Sequence, residues 1–380
     1  MNLPAGSAGA IVSVQDYLNT FNSNNLTIAP NGSEKINGSA GTIFLNTKGE
    51  GVTLVYVDGT VGWRSIVQSE FADTGFSLIT ATGGTVLTVG DYKTHVFTGP
   101  GTFCVSAGND NVDYFVVAGG GGTGGVACQT GGGGAGGFRV SNECGSGIAA
   151  PVMSPLANPT GIPISTGAYP ITVGAGGAPA PLASPAANDG AVSTFSTITS
   201  AGGGGGIGGS SPSPSNETGR NGGSGAGGSR IAGSGNTPPV SPPQGNNGGS
   251  GTRSAPQYGS GGGGGAGAVG SNGTSSAAGN GGTGSFISDS FMGPTAPSYG
   301  TPGPESSTRY FSGGGAGGGE GSAGTGGSGG GGNGASNTTP TATGGTANTG
   351  GGAGTGNDAP GAQVGAGGGS GIVMIRYKFQ

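Results

Sequence analysis

Few side chains in this sequence could do chemistry. The 380 residues include one histidine, His95, and three cysteines, Cys104, Cys128 and Cys144. His95 lies inside the strand-like run THVFTG, and a lone strand histidine with no partner motif reads as structural rather than as a general base. Zinc needs three or four nitrogen and sulfur ligands at suitable spacing, and these scattered residues do not supply them. Paired carboxylates could cleave a glycosidic bond. The closest pair, Asp110 and Asp113, falls in GNDNVD, which reads as a hairpin turn, and Asp58, Glu70 and Asp73 read as plain surface positions. Matches to G-x-G-x-x-G recur, but a dinucleotide site also needs a βαβ setting. The fixed Asp register of calcium-binding nonapeptides is missing as well. The expectation is no enzyme, no metal and no cofactor.

Binding has better support. Tyr258, Phe286, Phe291, Tyr299, Tyr310 and Phe311 lie outside the main strand-like runs, and Arg309 adjoins Tyr310. SFISDSFMGPTAPSYG and PESSTRYFSGG are the richest segments. Tyr, Trp and Arg dominate binding hot spots, so these seven residues are candidate contacts. The competing reading makes the rings packing caps. Proline-rich joints, NTPPVSPPQ and TPGPESS, stiffen loops, and rigid loops lose less entropy on binding.

Charge narrows the partners. A net charge of −5 with only 7% charged residues leaves no basic patch for nucleic acid. No apolar run is long enough to cross a membrane. The opening MNLPAGSAGAIVSVQDY has no signal-peptide pattern. Cys128 and Cys144 could pair across a hairpin, but with nothing pointing to an oxidising compartment the favoured reading is three small buried thiols.

Glycine divides the elements that must carry these residues. Of 99 glycines, 16 precede Ala118 and 83 follow it. Before it, LTIAPNG, TIFLNT, VTLVYVDG, GWRSIV, TVLTVG, THVFTG, TFCVSA and DYFVVA read as short strands separated by turn signals, among them Asp58-Gly59 and Gly108-Asn109. VQDYLNTF could form one helical turn. Val52–Val57 is apolar on both faces, so it should be enclosed by two sheets or meet identical strands in an oligomer. From 118 to 371, tracts such as AGGGGTGG, GGGGAGG and AGGGGGIGG alternate with Ser, Thr, Pro and Asn. GIVMIRYKF closes the chain as a strand.

Composition alone would make 118–371 a disordered linker. Three features favour order: tracts of similar length, strand-like runs at both ends, and apolar residues recurring in pieces such as YPITVGAGG. Polyproline-II geometry has three residues per turn and bonds no group internally, so glycine copies can pack until each N–H meets a neighbour's carbonyl. Collagen is excluded because no strict Gly-X-Y period persists. The expected fold is therefore mainly β plus a polyglycine-II helix bundle with little or no α-helix. Its parts are an N-terminal β-module (1–75), flanking strands (76–117), a glycine-rich bundle with exposed loops (118–371) and a closing strand (372–380).

VDYFVVAGGGGTGG, GGGGAGGFRV, YPITVGAGG, STFSTITSAGGGGG and GGGSGIVMIRY resemble the glycine-rich domain of tailed-phage tail-fibre and other virion proteins, over residues 85–380. Related domains occur elsewhere, including in the extracellular part of a receptor tyrosine kinase. The segment ending in the DGT-x-GW piece, Asp58 to Trp63, is similar to β-modules of phage tail-fibre-like proteins, which are often trimeric. The resemblance implies a virion protein assembled in the host cytoplasm and placed in a tail or fibre. Its N-terminal module would hold other virion proteins or form a homotrimer. Its loops would meet a bacterial surface receptor, protein or polysaccharide. A purely structural virion component, such as a capsid decoration or tail-assembly protein, and a secreted adhesive glycine-rich protein are the alternatives.

Overall fold

Runs rich in Val, Ile, Thr and aromatic residues become strands where turn residues bound them. The computed structural model describes residues 1–69, 77–124, 130–143, 153–180, 187–207, 217–252, 254–256, 258–356 and 365–379. These are mainly β, with almost no helix, and the chain divides into two compact units, Met1–Ser77 and Leu78–Gln380.

The first unit contains β1 (Ile11–Gln15), β2 (Leu26–Ile28), β3 (Ile43–Leu45), β4 (Gly51–Asp58) and β5 (Gly62–Ser69). Strands β1, β4 and β5 form an antiparallel sheet in that order, and β2 pairs with β3. Val52 and Leu54 point into a core around the fully buried Trp63. The Trp63 indole donates to Glu34 at 3.1 Å, and the other Glu34 oxygen accepts the Gly6 N–H. In the turn before Trp63, the Asp58 carboxylate accepts the Val61 and Thr60 N–H groups, both at 2.8 Å, which holds its pKa below the usual value. Gly62 has φ +75°, and a Cβ there would overlap the Lys35 carbonyl, so no other residue fits. Val57 and Ile11 remain exposed. VQDYLNTF forms no helical turn. Its Asp16 carboxylate instead accepts the N–H groups of Thr20, Phe21 and Gly49, folding the segment into turns.

β6 (Ser77–Thr82) starts on the last residue of the first unit, and the second unit continues with β7 (Thr85–Val89), β8 (Tyr92–Phe97), β9 (Gly101–Val117), β10 (Phe138–Val140), β11 (Ile162–Ile164), β12 (Gly167–Thr172), β13 (Ser193–Phe195), β14 (Ile198–Ser200), β15 (Ser285–Ser288), β16 (Thr308–Phe311) and β17 (Ile372–Lys378). A ten-stranded sheet runs β14-β13-β12-β9-β17-β8-β7, with β6, β10 and β11 also paired to β9. β9 is one strand of 17 residues, so the turn expected at Gly108-Asn109 is absent. Phe103 and Val105 face the same cluster as Val112, Tyr114 and Val116. The alternation thus slips by one residue across Gly108, whose φ is +90°, as an inserted residue in a strand requires. Cys104 lies between two inward residues and is exposed, contrary to the buried-thiol expectation. Cys128 and Cys144, with Glu70 and Asp73, lie outside the described residues.

Both sheet faces are covered. Phe103, Tyr114, Phe195, Ile375 and Tyr377 build one core. Phe115, Phe138, Phe291, Phe311 and Met374 build the other. Asp113 is a buried ion-pair partner of its cross-strand neighbour Arg376, at 3.7 Å, and not a turn carboxylate. His95 is also core: Nδ1 donates to the Gly83 carbonyl at 2.7 Å, so Nε2 accepts from the Tyr377 hydroxyl at 3.0 Å. Burial lowers the His95 pKa and pushes Tyr377 up to about 12.

The glycine tracts continue directly from these strands. In 132–137, Gly132 and Ala135 donate to Gly261 and Gly264, Gly133 and Gly136 to Ala353 and Gly350, and Gly134 and Gly137 to Gly204 and Ala201. Donor direction therefore repeats every three residues. Carbonyls of the same tract accept from three further tracts, through Gly121, Gly227 and Gly315, giving it six hydrogen-bonded neighbours. Residues 118–123 and 260–266 show the same period of three. A Cβ on Gly121 or Gly133 would overlap a neighbouring tract's backbone, at the carbonyls of Gly204 and Gly121 respectively. Close approach, rather than flexibility, is what glycine provides here.

Candidate functional site

The segment 285–311 holds six of the seven candidate contact residues. It is a two-stranded hairpin, β15 with β16, joined through short 3-10 helices at Asp289–Phe291 and Gly293–Ser298. Phe286, Arg309, Tyr310 and Phe311 are thus strand residues rather than loop residues. Strand alternation then divides their roles. Phe311 is fully buried, edge-on to Phe115 with ring centroids 4.8 Å apart. Phe291 is fully buried as well. Its carbonyl accepts the Thr94 hydroxyl at 2.8 Å and its ring lies 5.5 Å from the Arg376 guanidinium. These two rings anchor the segment to the sheet and present nothing to a partner.

Arg309 is also turned inward. Its Nε donates to the Tyr299 carbonyl at 2.8 Å and an Nη to the Gly300 carbonyl at 3.0 Å. Tyr299 is half-buried against the second core. Tyr258 stands outside this segment, half-buried with φ +46°.

Phe286 and Tyr310 remain. They are direct cross-strand partners with ring centroids 5.1 Å apart, in the range for a favourable aromatic pair. Together with Leu156, Pro155, Pro243 and Pro304 they line a cleft of about 350 Å³. Tyr310 is 6% exposed, and burial raises its hydroxyl pKa. Phe286 is half-buried and forms more of the accessible wall.

The two rings stand out in the sequence as candidate contacts, and the remaining walls do not. Pro243 and Pro304 belong to the two proline-rich joints, read only as stiffeners. The side chain of Gln244, beside Pro243, donates to the Pro238 carbonyl at 2.9 Å and accepts the Ala201 N–H at 2.8 Å. That pair of bonds fixes the joint against a glycine tract. Pro155 and Leu156 carried no local signal, because only the folded chain brings them to Phe286. A second cleft at Asn109–Asn111 and Pro163–Ser165 contains Asp110 and, among the described residues that line it, no second carboxylate. The described residues contain no cluster of His, Cys, Asp or Glu able to hold a metal, and no helix long and apolar enough to cross a membrane.

Comparison with curated proteins and with solved structures gave no match. Residues 94–378, about three-quarters of the chain, match the family model described as a glycine-rich domain. That span runs from β8 through every glycine tract to the end of β17, and by it the chain belongs to the glycine-rich domain family.

Proposed function

We propose that this protein is a bacteriophage virion component, a tail-fibre or fibre-tip adhesin, whose glycine tracts form a polyglycine-II bundle that holds a host-binding face rigid. The observation that carries the reading is the cleft at Phe286 and Tyr310, an aromatic recess on a segment pinned to the sheet by Phe291 and Phe311. Concave sites with apolar walls are the usual form of a ligand pocket, and this one falls within the normal size range. The three-residue repeat of donor directions supports the polyglycine-II assignment, since that helix has three residues per turn and no internal hydrogen bonds. The N-terminal module then attaches the chain to other virion proteins or to two further copies of itself, and exposed Ile11 and Val57 suit such a contact.

A purely structural virion role draws support from the fully buried Phe291 and Phe311 and from Arg309, whose Nε and one Nη serve carbonyls of its own segment. The two readings separate in an adsorption experiment. Removing 284–312 would strip Ile287, Phe291, Met292 and Phe311 from the core, so a point variant is the better probe. Purified chain should compete with phage for host cells, and Phe286→Ala, with its melting temperature within a few degrees of the parent, should compete at least ten-fold less well. No competition by the parent chain would leave the structural role as the better account.

A further inference from the structure

We propose that the Phe286–Tyr310 cleft is a binding site for one neutral sugar residue of a surface glycan, an assignment that rests on the attachment reading and specifies its ligand. Three features point to that chemistry. First, the walls offer two aromatic rings beside proline and leucine surfaces, a suitable bed for the C–H face of a pyranose ring. Second, hydrogen-bonding groups stand at the same cleft. Asn246 Nδ2 donates to the Gly265 and Ala266 carbonyls at 3.0 and 2.9 Å, which fixes the amide and leaves Oδ1 as an acceptor. Thr283, also lining the cleft, is exposed. Among the described residues none bonds Asn246 Oδ1 or the Thr283 hydroxyl, so both can serve hydroxyl groups that arrive with a ligand. Third, among the described residues no charged side chain lines the cleft. An anionic sugar, phosphate or acidic peptide would lose its hydration there with no counter-charge to replace it.

A peptide side chain would use the rings but has no need of a fixed amide acceptor and a hydroxyl on the same rim. A sugar needs both, and a site built to hydrogen-bond ligand hydroxyls discriminates against ligands lacking them. Rigidity contributes as well. Thr283 sits in a glycine tract and accepts the Gly267 and Ala268 N–H groups through its carbonyl, so the backbone that carries its hydroxyl is held before ligand arrives.

The test uses the full chain and methyl glycosides of glucose, galactose, mannose and N-acetylglucosamine, followed by saturation-transfer NMR at millimolar concentration. At least one should receive saturation. That transfer should fall at least ten-fold in Phe286→Ala and several-fold in Thr283→Val, an exposed change that spares the core. No transfer to any of the four, or transfer unchanged in both variants, overturns the proposal. Binding of labelled chain to periodate-treated and protease-treated bacterial cells separates this failure from failure of the attachment reading. Loss with periodate alone supports a glycan ligand. Loss with protease alone overturns the sugar assignment while leaving attachment standing. If untreated cells bind no chain, attachment fails, and saturation transfer still decides what the cleft takes.

Discussion

Val117 and Ile372 are cross-strand partners on β9 and β17, and from that pair the first and last glycine tracts leave the sheet side by side. The antiparallel register carries on beyond the sheet. Gly120 donates to Gly369 and Thr123 to Ala366, now meeting once every three residues. Phe138 and Val117 do the same for the second tract, continued by Ala118 to Gly137 and Gly121 to Gly134. The sheet therefore sets the register in which the tracts associate. A polar backbone with few side chains has little else to define it.

The array should be intolerant of a single methyl group. Gly133→Ala places a Cβ against the Gly121 carbonyl inside a tract with six neighbours, and overpacking of this kind costs about 1–3 kcal/mol. Gly99→Ala, where a Cβ meets nothing within 4 Å, should change stability by less than about 0.5 kcal/mol. Urea denaturation of the two variants measures the contrast.

Phe311→Ala should cost about 3–5 kcal/mol, as large-to-small changes at fully buried aromatic sites do, and should loosen the hairpin that carries Phe286 and Tyr310. Phe286→Ala, at a half-buried position, should cost much less. Thermal melts of the two variants give the ranking, and a reversed order would contradict the division of anchor and wall.

Arg309→Lys should weaken the 3-10 segment without unfolding the chain. Lysine keeps the charge but not the planar fork that serves the Tyr299 and Gly300 carbonyls together. A loss of about 1–2 kcal/mol is expected, with faster amide exchange confined to residues 289–301.

Stability should fall as the solution is made acidic through the histidine range. Burial holds the His95 pKa below 6.5 in the fold, so as pH falls the unfolded chain takes up the proton first. The stability tied to neutral His95 is present above about pH 6.5 and is lost as pH drops toward the folded value. Because His95 is the chain's single histidine, His95→Gln should flatten the urea midpoint between about pH 7 and about pH 5.5. An unchanged slope in that variant would assign the dependence elsewhere.

Much of the β framework was legible because β-branched runs and turn residues are local signals. β4, β8 and β17 fall where VTLVYVDG, THVFTG and GIVMIRYKF place them. The single long β9 was not legible, since a glycine with φ +90° inside a strand looks in sequence like the glycine of a turn. The candidate aromatics were found by type, but their roles depended on alternation within a four-residue strand. Tyr310 faces the cleft and Phe311 the core, and nothing in TRYF alone fixes that parity. Pro155, Asn246 and Thr283 reach the cleft only through long-range packing.

Amide hydrogen exchange on the intact chain most directly tests whether ordered glycine tracts hold the cleft in place. Gly121, Gly132–Gly136 and Gly261–Gly264 each donate to another tract, so their amides should exchange orders of magnitude more slowly than those of an unstructured peptide. Exchange of these tracts at the free-peptide rate, with β9 and β17 still protected, would contradict the array and remove the support beneath Phe286 and Tyr310.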